Sequence, residues 1–387
     1  MNNDIKVLSA SQIIIRFIIA IFVIVTLVGI VNGFVLNRRI TPVSELQQDK
    51  TSYHYVNDLY ISDGRHYDYM LDKKEKKLYD AIYTAIRNRQ SSTVLNFEEF
   101  DYKAYNASYT LGKAFDRVFQ ALSMDHPELI YYSPAANMFQ YTLDTKKAIM
   151  NFTYSMTEEE YQNALIYIDA VLHDIKEQTK NMSDYEKCKF AYDWVASKHV
   201  YGDLNGNFSH SAYSVFSMKE NPVCEGYGKG LQIILQNIGV NSIYVVGSIV
   251  GGGGHGWNIV QLDGQYYNID LTCSFYDSFP SYSNICYAGF LFPKNKNYSI
   301  LWDEMVPKIN GKKYLYFNYA GQELTFNNIP EFYADLKQRL ANTDKNFLEI
   351  KIKNIGSLKR NRKEFELYMG KSYTYMLRFD DIIYIKK

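Results

Sequence analysis

The stretch from Asn221 to Thr272 constrains the fold of this chain more than any other. It reads NPVCEGYGKGLQIILQNIGVNSIYVVGSIVGGGGHGWNIVQLDGQYYNIDLT. Apolar residues recur with a helical period from Glu225 to Ile238, and the glycine that follows is a typical helix end. Later, two alternating runs flank an Asp-Gly pair, which is a strong hairpin signal. We therefore expect a helix followed by strands, with a cysteine, a histidine and an aspartate at defined places on them.

Cys224 is predicted to lie at the N-terminus of this helix, because Pro222 prevents an earlier start. The unpaired N–H groups and the dipole of a helix N-terminus favour an anion. Such a position lowers the pKa of a thiol, and the thiolate is the form that attacks a carbonyl carbon. Taken alone, however, a cysteine is also well explained as a small buried apolar residue.

The hairpin predicts a contact between His255 and Asp270. A two-residue turn at Asp263 and Gly264 sets the strand register. The expected pairs are Leu262 with Gln265, Trp257 with Asp270, and His255 with Thr272. His255 and Asp270 are then diagonal neighbours on one face, roughly 7 Å apart at the backbone. An aspartate placed there can fix the tautomer of the histidine and stabilise its charged form. A purely structural histidine beside a loose glycine loop is the alternative.

These motifs resemble those of the transglutaminase-like superfamily, whose core is papain-like. Cys224 lies in VCEGYGKG, and His255 and Asp270 lie in HGWNIVQLDGQYYNID. The flanking sequences MSDYEKCKFAYDWVASKHVY and DHPELIYYS resemble bacterial members, so the resemblance covers about residues 70 to 300. The chain departs from the usual pattern at Gly256, where alanine is usual, and at Cys273, where tryptophan commonly follows.

The resemblance implies an α+β fold in which a nucleophile helix packs on an antiparallel sheet. It also implies a triad of Cys224, His255 and Asp270 that forms a thioester with an amide substrate in protein, peptide or cell-wall material. Water as acceptor would give a peptidase or deamidase, and an amine would give a transglutaminase. Hydrolysis is favoured, because transamidation needs a site that excludes water and no sequence feature ensures one. The alternative is a non-catalytic, membrane-anchored protein that binds peptide or cell-wall material.

Three aromatic residues are further candidates near the triad. Tyr213 precedes Cys224 in a loop and could donate to an oxyanion beside the Cys224 N–H group. Tyr227 and Trp257 are candidates for lining a substrate cleft, although packing is the alternative for every such aromatic residue. The sequence contains no CxxC pair and no HExxH motif, so neither a metal nor a cofactor is predicted.

Charge and hydropathy decide which partners to expect. Lys plus Arg and Asp plus Glu number 42 each, so no basic surface indicates nucleic acid. The uncharged segment from Phe17 to Leu36 has about the 20 residues needed to cross a bilayer as a helix. No A-x-A-like site follows it, so a retained single-pass anchor is predicted. Flanking basic residues are nearly balanced. The resemblance to anchored bacterial members favours an external catalytic region.

The predicted organisation follows from these segments. It comprises a tail at 1–16, a transmembrane helix at 17–36, a stalk at 37–69, an α/β region at 70–155, the catalytic domain at 156–325 and an α/β appendage at 326–387. The predicted helices cover 72–90, 107–122, 157–177, 183–199 and 330–341. Strands are predicted at 129–132, 138–142 and 348–352, and a hairpin at 373–385 that turns at Asp380 and Asp381. Capping boxes begin the helices at Thr157 and Ser183.

Overall fold

The computed structural model describes residues 59–100, 107–132, 138–142, 146–217, 219–274, 285–301, 306–343, 345, 347–353, 362–370, 374–378 and 381–386. The predicted membrane helix at 17–36 and most of the predicted stalk lie outside these ranges. Among the described residues, no helix has both the length and the apolar character needed to cross a membrane.

The described residues form helices and three sheets, so the fold mixes α and β structure as predicted. The helices are α1 (Arg65–Met70), α2 (Lys73–Arg87), α3 (Ala107–Asp125), α4 (Glu158–Thr179), α5 (Asp184–Ala196), α6 (Tyr213–Ser217), α7 (Cys224–Asn237), α8 (Tyr316–Tyr319), α9 (Ile329–Asn342) and α10 (Arg362–Met369). The strands are β1 (Ser92–Asn96), β2 (Met138–Thr142), β3 (Lys147–Asn151), β4 (Ser242–Ile249), β5 (Gly253–Leu262), β6 (Gln265–Ile269), β7 (Tyr298–Ile300), β8 (Glu323–Leu324), β9 (Phe347–Ile352), β10 (Thr374–Arg378) and β11 (Ile382–Lys386). The sheet orders are β1-β3-β2, β6-β5-β4-β7 and β10-β11-β9-β8.

Side-chain caps are present at the start of the two helices for which the sequence predicts capping boxes. Thr157 accepts the Glu160 N–H group at 3.2 Å, and the Glu160 carboxylate accepts the Thr157 N–H group at 2.7 Å. Ser183 and Glu186 form the same reciprocal pair at the start of α5. Both predicted capping boxes are confirmed, and each satisfies backbone donors that a helix start leaves unpaired.

The N-terminal region contains the predicted helices, as α2 and α3, and the predicted strand at 138–142, as β2. The strand predicted at 129–132 is wrong. The N–H groups of Leu129, Ile130 and Tyr132 bond to carbonyls two or three residues earlier, which makes this segment a series of turns. Its apolar side chains are buried all the same. A short buried run therefore resembled a strand without being one.

The end of the predicted stalk is packed against the body of the protein. Leu59 and Tyr60 are buried in the main core. The Asn237 amide donates to the Leu59 carbonyl at 2.7 Å, and the Gln236 side chain bonds both the N–H group and the carbonyl of Ile61 at 2.9 and 2.7 Å. Residues 59–70 therefore follow the C-terminal end of α7 and then form α1.

The central sheet and α7 form the part of the fold that carries the candidate site. The helix packs against β4 and β5, and its predicted apolar face is buried. Leu262 lies opposite Gln265, which confirms the predicted register of the β5–β6 hairpin. Asp263 and Gly264 have φ values of 49° and 74°. Positive φ at both central positions is what a type I′ turn requires.

The C-terminal sheet has its own small core between its strands and helices α9 and α10. The predicted helix, strand and hairpin are confirmed as α9, β9 and β10–β11, although Asp380 lies outside the described residues. Strands β9 and β11 pair antiparallel, and β8 and β9 pair parallel. A separate apolar cluster of Cys286, Phe347 and Tyr384 joins this sheet to the chain segment that follows the candidate site.

Candidate active site

Cys224 is the first residue of α7, as predicted. Val223 before it has extended backbone and makes no side-chain cap, so no cap competes for the first N–H groups of the helix. The thiol is partly buried. Its position at the positive end of the helix dipole favours the thiolate over the thiol.

His255 and Asp270 meet at the open end of the β5–β6 hairpin. Strand β6 ends at Ile269, opposite Asn258, and the chain then turns into a single 3₁₀ turn over Leu271–Cys273. His255 Nε2 lies 2.8 Å from Asp270 Oδ2. The two residues are 8% and 1% exposed. The contact expected from the hairpin register is therefore present and shielded from water.

Three further groups hold the Asp270 carboxylate. The Tyr298 hydroxyl donates to Oδ2 at 2.6 Å, and the hydroxyl and N–H groups of Thr272 donate to Oδ1 at 2.6 and 2.9 Å. Burial raises the pKa of Asp270, but the charge and hydrogen bond of His255 together with the hydrogen bonds of Thr272 and Tyr298 outweigh it and lower the pKa overall. Asp270 is therefore an ionised, fully bonded carboxylate that fixes the orientation of the imidazole.

The thiol of Cys224 and the imidazole of His255 shift each other's pKa. Burial raises the pKa of Cys224, but the hydrogen bond and charge of His255, the N–H group of Gly256 and the hydroxyl of Tyr201 together outweigh it. The pKa of Cys224 is lowered overall. Burial lowers the pKa of His255, whereas Asp270 and Cys224 raise it to about 10. Both shifts favour the thiolate and the imidazolium over their neutral forms, compared with a free thiol and a free imidazole.

The part of the chain that contains these three residues matches a known family model. Residues 173–271 match the model of the transglutaminase-like superfamily, and this range includes Cys224, His255 and Asp270. The chain carries a transglutaminase-like domain.

Solved structures resemble this chain only weakly. A transglutaminase crystal structure has 18% identity and a TM-score of 0.26, covering 37% of this chain and 46% of that one. The periplasmic domain of TgpA from Pseudomonas aeruginosa has 10% identity and a TM-score of 0.22, covering 33% of this chain and 53% of that one. This chain thus spans about half the length of either structure. Comparison with curated proteins gives no significant match.

Tyr201 is a residue of the site that the sequence did not reveal. Its hydroxyl hydrogen-bonds the Cys224 thiol, and burial together with the negative charge of Cys224 raises the pKa of Tyr201 to about 12. Tyr213, the predicted oxyanion donor, instead begins α6 and packs edge-on against Phe208, with ring centroids 5.1 Å apart. Tyr213 therefore begins a short helix instead of lying in a loop, and its role as an oxyanion donor stays a prediction, whereas the loop after α5 brings the Tyr201 hydroxyl to the nucleophile.

Tyr227 and Trp257 do not line an open cleft, because each is 1% exposed. Trp257 stacks on the His255 ring at 5.9 Å and donates its indole N–H to Asn268 at 3.1 Å. Tyr227 lies within α7 and meets the His199 ring edge-on. The prediction of substrate contact is corrected: Trp257 supports the imidazole, and Tyr227 packs the nucleophile helix against its neighbours.

Two other histidines and two other cysteines have partners outside this site or are fully buried. His210 Nδ1 lies 2.9 Å from Glu225, whose other oxygen accepts from Lys229 at 2.7 Å. His199 Nε2 bonds the Val215 carbonyl at 2.9 Å, and Cys188 and Cys286 are fully buried. Within the described ranges, no group of three or more His, Cys, Asp or Glu side chains could hold a metal ion.

The departure from the family pattern at Gly256 has a structural cause. The Tyr244 ring occupies the space that a Cβ on Gly256 would need, with Cε2 at 2.9 Å from the ideal Cβ position. The same ring fills the space beside Gly228 on α7. Tyr244 therefore packs between the nucleophile helix and the histidine strand, and the two glycines make room for it.

Gly256→Ala should lower the free energy of unfolding by about 1–3 kcal/mol, because overpacking a filled core forces side chains from their preferred positions. Gly254→Ala is the matched control, since nothing lies within 4 Å of a Cβ two residues earlier on the same strand. Adding Tyr244→Phe removes the nearest obstructing atom and should recover part of the loss. Chemical denaturation measures all three. Equal stability of the two alanine variants would contradict this packing.

Proposed function

We propose that this chain is a thiol enzyme that cleaves amide bonds in protein, peptide or cell-wall material, with Cys224 as the nucleophile. The observation that carries the proposal is that His255 interacts with both partners: its Nε2 lies 2.8 Å from Asp270 Oδ2, and its hydrogen bond and charge lower the pKa of Cys224. Thiolate nucleophilicity needs a lowered pKa, and acid catalysis needs a protonated imidazole. The surroundings of both groups favour these protonation states.

The proposed reaction has two halves. The Cys224 thiolate attacks the amide carbonyl carbon, and the resulting tetrahedral intermediate collapses as His255 donates its proton to the departing amine. A thioester remains on Cys224, and His255 is neutral. His255 then removes a proton from water, the hydroxide attacks the thioester, and the carboxylic acid leaves as the thiolate reforms. Asp270 keeps the imidazole oriented throughout, since its carboxylate is held by Tyr298 and Thr272.

Stabilisation of the oxyanion is assigned to Tyr201 and the N–H group of Cys224. Both groups lie at the nucleophile, and the Tyr201 hydroxyl is already bonded to the thiol. As the thiolate attacks, negative charge moves from sulfur to the carbonyl oxygen, and a donor placed beside the sulfur can follow it. Donors that face developing charge in a partly buried site supply a large share of catalysis.

Hydrolysis is proposed rather than transamidation. Tyr201 is 41% exposed and Leu204, further along the same loop, is 62% exposed. The loop beside the nucleophile is thus open to solvent, and water is present at far higher concentration than any amine. A site that favoured transamidation would need to keep water away from the thioester. These exposures support water as the acyl acceptor.

We propose that the enzyme lies at the cell membrane, anchored by residues 17–36, with the catalytic region outside the cytoplasm. Support comes from the length and composition of that uncharged segment. Protease added to intact cells should digest the region after residue 40. Complete protection of that region, with digestion after lysis, would contradict an external location.

Labelling with iodoacetamide tests the enzyme proposal directly. Cys224 in the full chain should be alkylated rapidly well below pH 8.5, roughly the pKa of a free cysteine thiol. Intact mass and peptide mapping locate the label, and Cys224→Ser should abolish the fast phase. Cys273, which is also partly exposed, is the internal comparison. Labelling of Cys224 no faster than Cys273 would favour a non-catalytic binding protein.

A further inference from the structure

Glu349 is a buried carboxylate outside the proposed triad. It lies on β9 of the C-terminal sheet and is 8% exposed. Burying a charge is strongly unfavourable unless hydrogen bonds compensate it. Here Oε2 accepts the Tyr287 N–H group at 2.7 Å, and Oε1 accepts the Ala288 N–H group at 2.9 Å. Hydrogen bonds to an ionised acceptor are roughly twice as strong as neutral ones. The carboxylate therefore clamps this distant segment onto the C-terminal sheet.

Gly289, the residue that follows Tyr287 and Ala288, bonds to the backbone of Asp270. The Asp270 N–H group donates to the Gly289 carbonyl at 2.7 Å. The two backbones are in close contact, because a Cβ on Gly289 would lie 3.1 Å from the carbonyl carbon of Asp270. Cys286 adds a second tie, with its N–H group donating to the Ser274 carbonyl at 2.8 Å. The segment at 286–289 is thus held between the Asp270 turn and β9.

Apolar contacts reinforce the same junction. Phe347 lies two residues before Glu349 on β9, so the two share a face of the strand. Phe347 stacks on Tyr384 of β11 with ring centroids 4.7 Å apart, and both cluster with Cys286. The Tyr192 hydroxyl donates to the Cys286 carbonyl at 2.9 Å. The junction is therefore a small apolar patch, and the Glu349 carboxylate fixes the position of the 287–288 backbone against β9.

We propose that Glu349 is a positioning residue for Asp270, so that the C-terminal sheet forms part of the support of the active site. This deepens the proposed function and rests on it, since it concerns the same triad. Glu349 fixes the backbone at 287–288, the adjacent carbonyl fixes the backbone of Asp270, and the Asp270 carboxylate orients His255. Removing Glu349 leaves two N–H groups without their acceptor and loosens this chain of contacts.

Two variants of the full chain, purified in mild detergent, test the role of Glu349. Glu349→Gln keeps the shape and one acceptor oxygen, and Glu349→Ala removes both. The pH profile of Cys224 alkylation should move to higher pH in both, with a rate near neutral pH lowered about tenfold in Glu349→Ala, a size typical of groups that orient a functional histidine. Asp270→Ala should shift the profile in the same direction and further.

The matched control is Glu323→Gln. Glu323 lies on β8 of the same sheet and pairs with Lys351 and Lys353 instead of the 287–289 segment. Its profile should equal that of the wild type. An equal shift in Glu323→Gln, or an unchanged profile in the Glu349 variants, would overturn the positioning role.

Hydrogen exchange gives a readout that needs no thiol chemistry. The peptide that contains Asp270 should exchange faster in Glu349→Gln than in the wild type or in Glu323→Gln, because the Asp270 N–H group loses a fixed acceptor. Unchanged exchange would also overturn the inference. If wild-type Cys224 proves unreactive while exchange responds as expected, the proposed function fails and the structural coupling stands.

Discussion

Replacing His255 with alanine should slow hydrolysis of an acyl-enzyme by about 100- to 10,000-fold, the usual contribution of a positioned acid-base group. p-Nitrophenyl acetate would acetylate Cys224 and release nitrophenol. Water must then be deprotonated to attack the thioester, and His255 is the base that hydrogen-bonds the sulfur. The acetylated protein should therefore accumulate in His255→Ala. Nitrophenol release gives the acylation rate, and intact mass gives the fraction acetylated with time.

His199→Ala is the control for loss of a buried histidine. His199 bonds the Val215 carbonyl and is not part of the proposed triad of Cys224, His255 and Asp270. We expect this variant to turn over p-nitrophenyl acetate at the wild-type rate at temperatures below its unfolding transition. An acetyl-enzyme that clears from His255→Ala at the wild-type rate would show that another group supplies the base.

The pH dependence follows from the same pair. Cleavage of an amide needs the thiolate and the imidazolium together. The rate should rise as pH passes the lowered pKa of Cys224, and it should fall as pH passes about 10, where His255 loses its proton. In His255→Ala the rise in alkylation should move to higher pH, because burial then raises the thiol pKa without the opposing charge of the imidazole.

The sequence predicted the parts of the site that local rules determine. An Asp-Gly pair between alternating runs sets the hairpin register, and that register alone brings His255 beside Asp270. A proline before a helical run places Cys224 at a helix start. These features depend on neighbours within about 15 residues of one another, a range over which backbone geometry leaves few choices. Their catalytic roles stay predictions until the thiol is tested.

Local rules could not predict the side chains that reach the site from distant parts of the chain. Tyr201 reaches Cys224 from the loop after α5, and Tyr298 reaches Asp270 from β7, which pairs with β4 on the far side of the sheet. Tyr201 ends a flanking stretch that resembles the family, but nothing in that stretch indicates a role for its hydroxyl, and Tyr298 lies outside the matching motifs. In a chain with 36 tyrosines, residue type gives little guidance. Tyr227 and Trp257 lie close to the motif in sequence, but tertiary packing buries both.

Glu349 is another residue whose contacts could not be predicted from the local sequence. In sequence it is a charged residue on a strand where apolar and charged residues alternate, and alternation alone predicts that such a side chain faces solvent. The opposite face of β9 packs on α9 and α10, while this face meets the segment at 286–289. Only the docking of the C-terminal sheet against the segment at 286–289 gives the carboxylate its backbone partners.

Tyr201→Phe should slow acetylation of Cys224 by p-nitrophenyl acetate by about 100-fold, the lower end of the effect of removing one oxyanion donor. The ring stays, so packing is kept, and only the hydroxyl that follows the developing negative charge is lost. The comparison must be made at a pH where the thiol is fully ionised in both proteins, because the same hydroxyl also lowers the pKa of Cys224.

Iodoacetamide separates the two roles of this hydroxyl. Alkylation at carbon passes through no tetrahedral oxyanion, so at full ionisation it should proceed at nearly the wild-type rate in Tyr201→Phe, while acetylation stays slow. Tyr213→Phe is the matched control, since Tyr213 packs against Phe208 and should leave both reactions unchanged. A parallel loss in both reactions would mean that Tyr201 acts only on the thiol. A loss of acetylation in Tyr213→Phe instead would return the oxyanion role to the residue that the sequence first indicated.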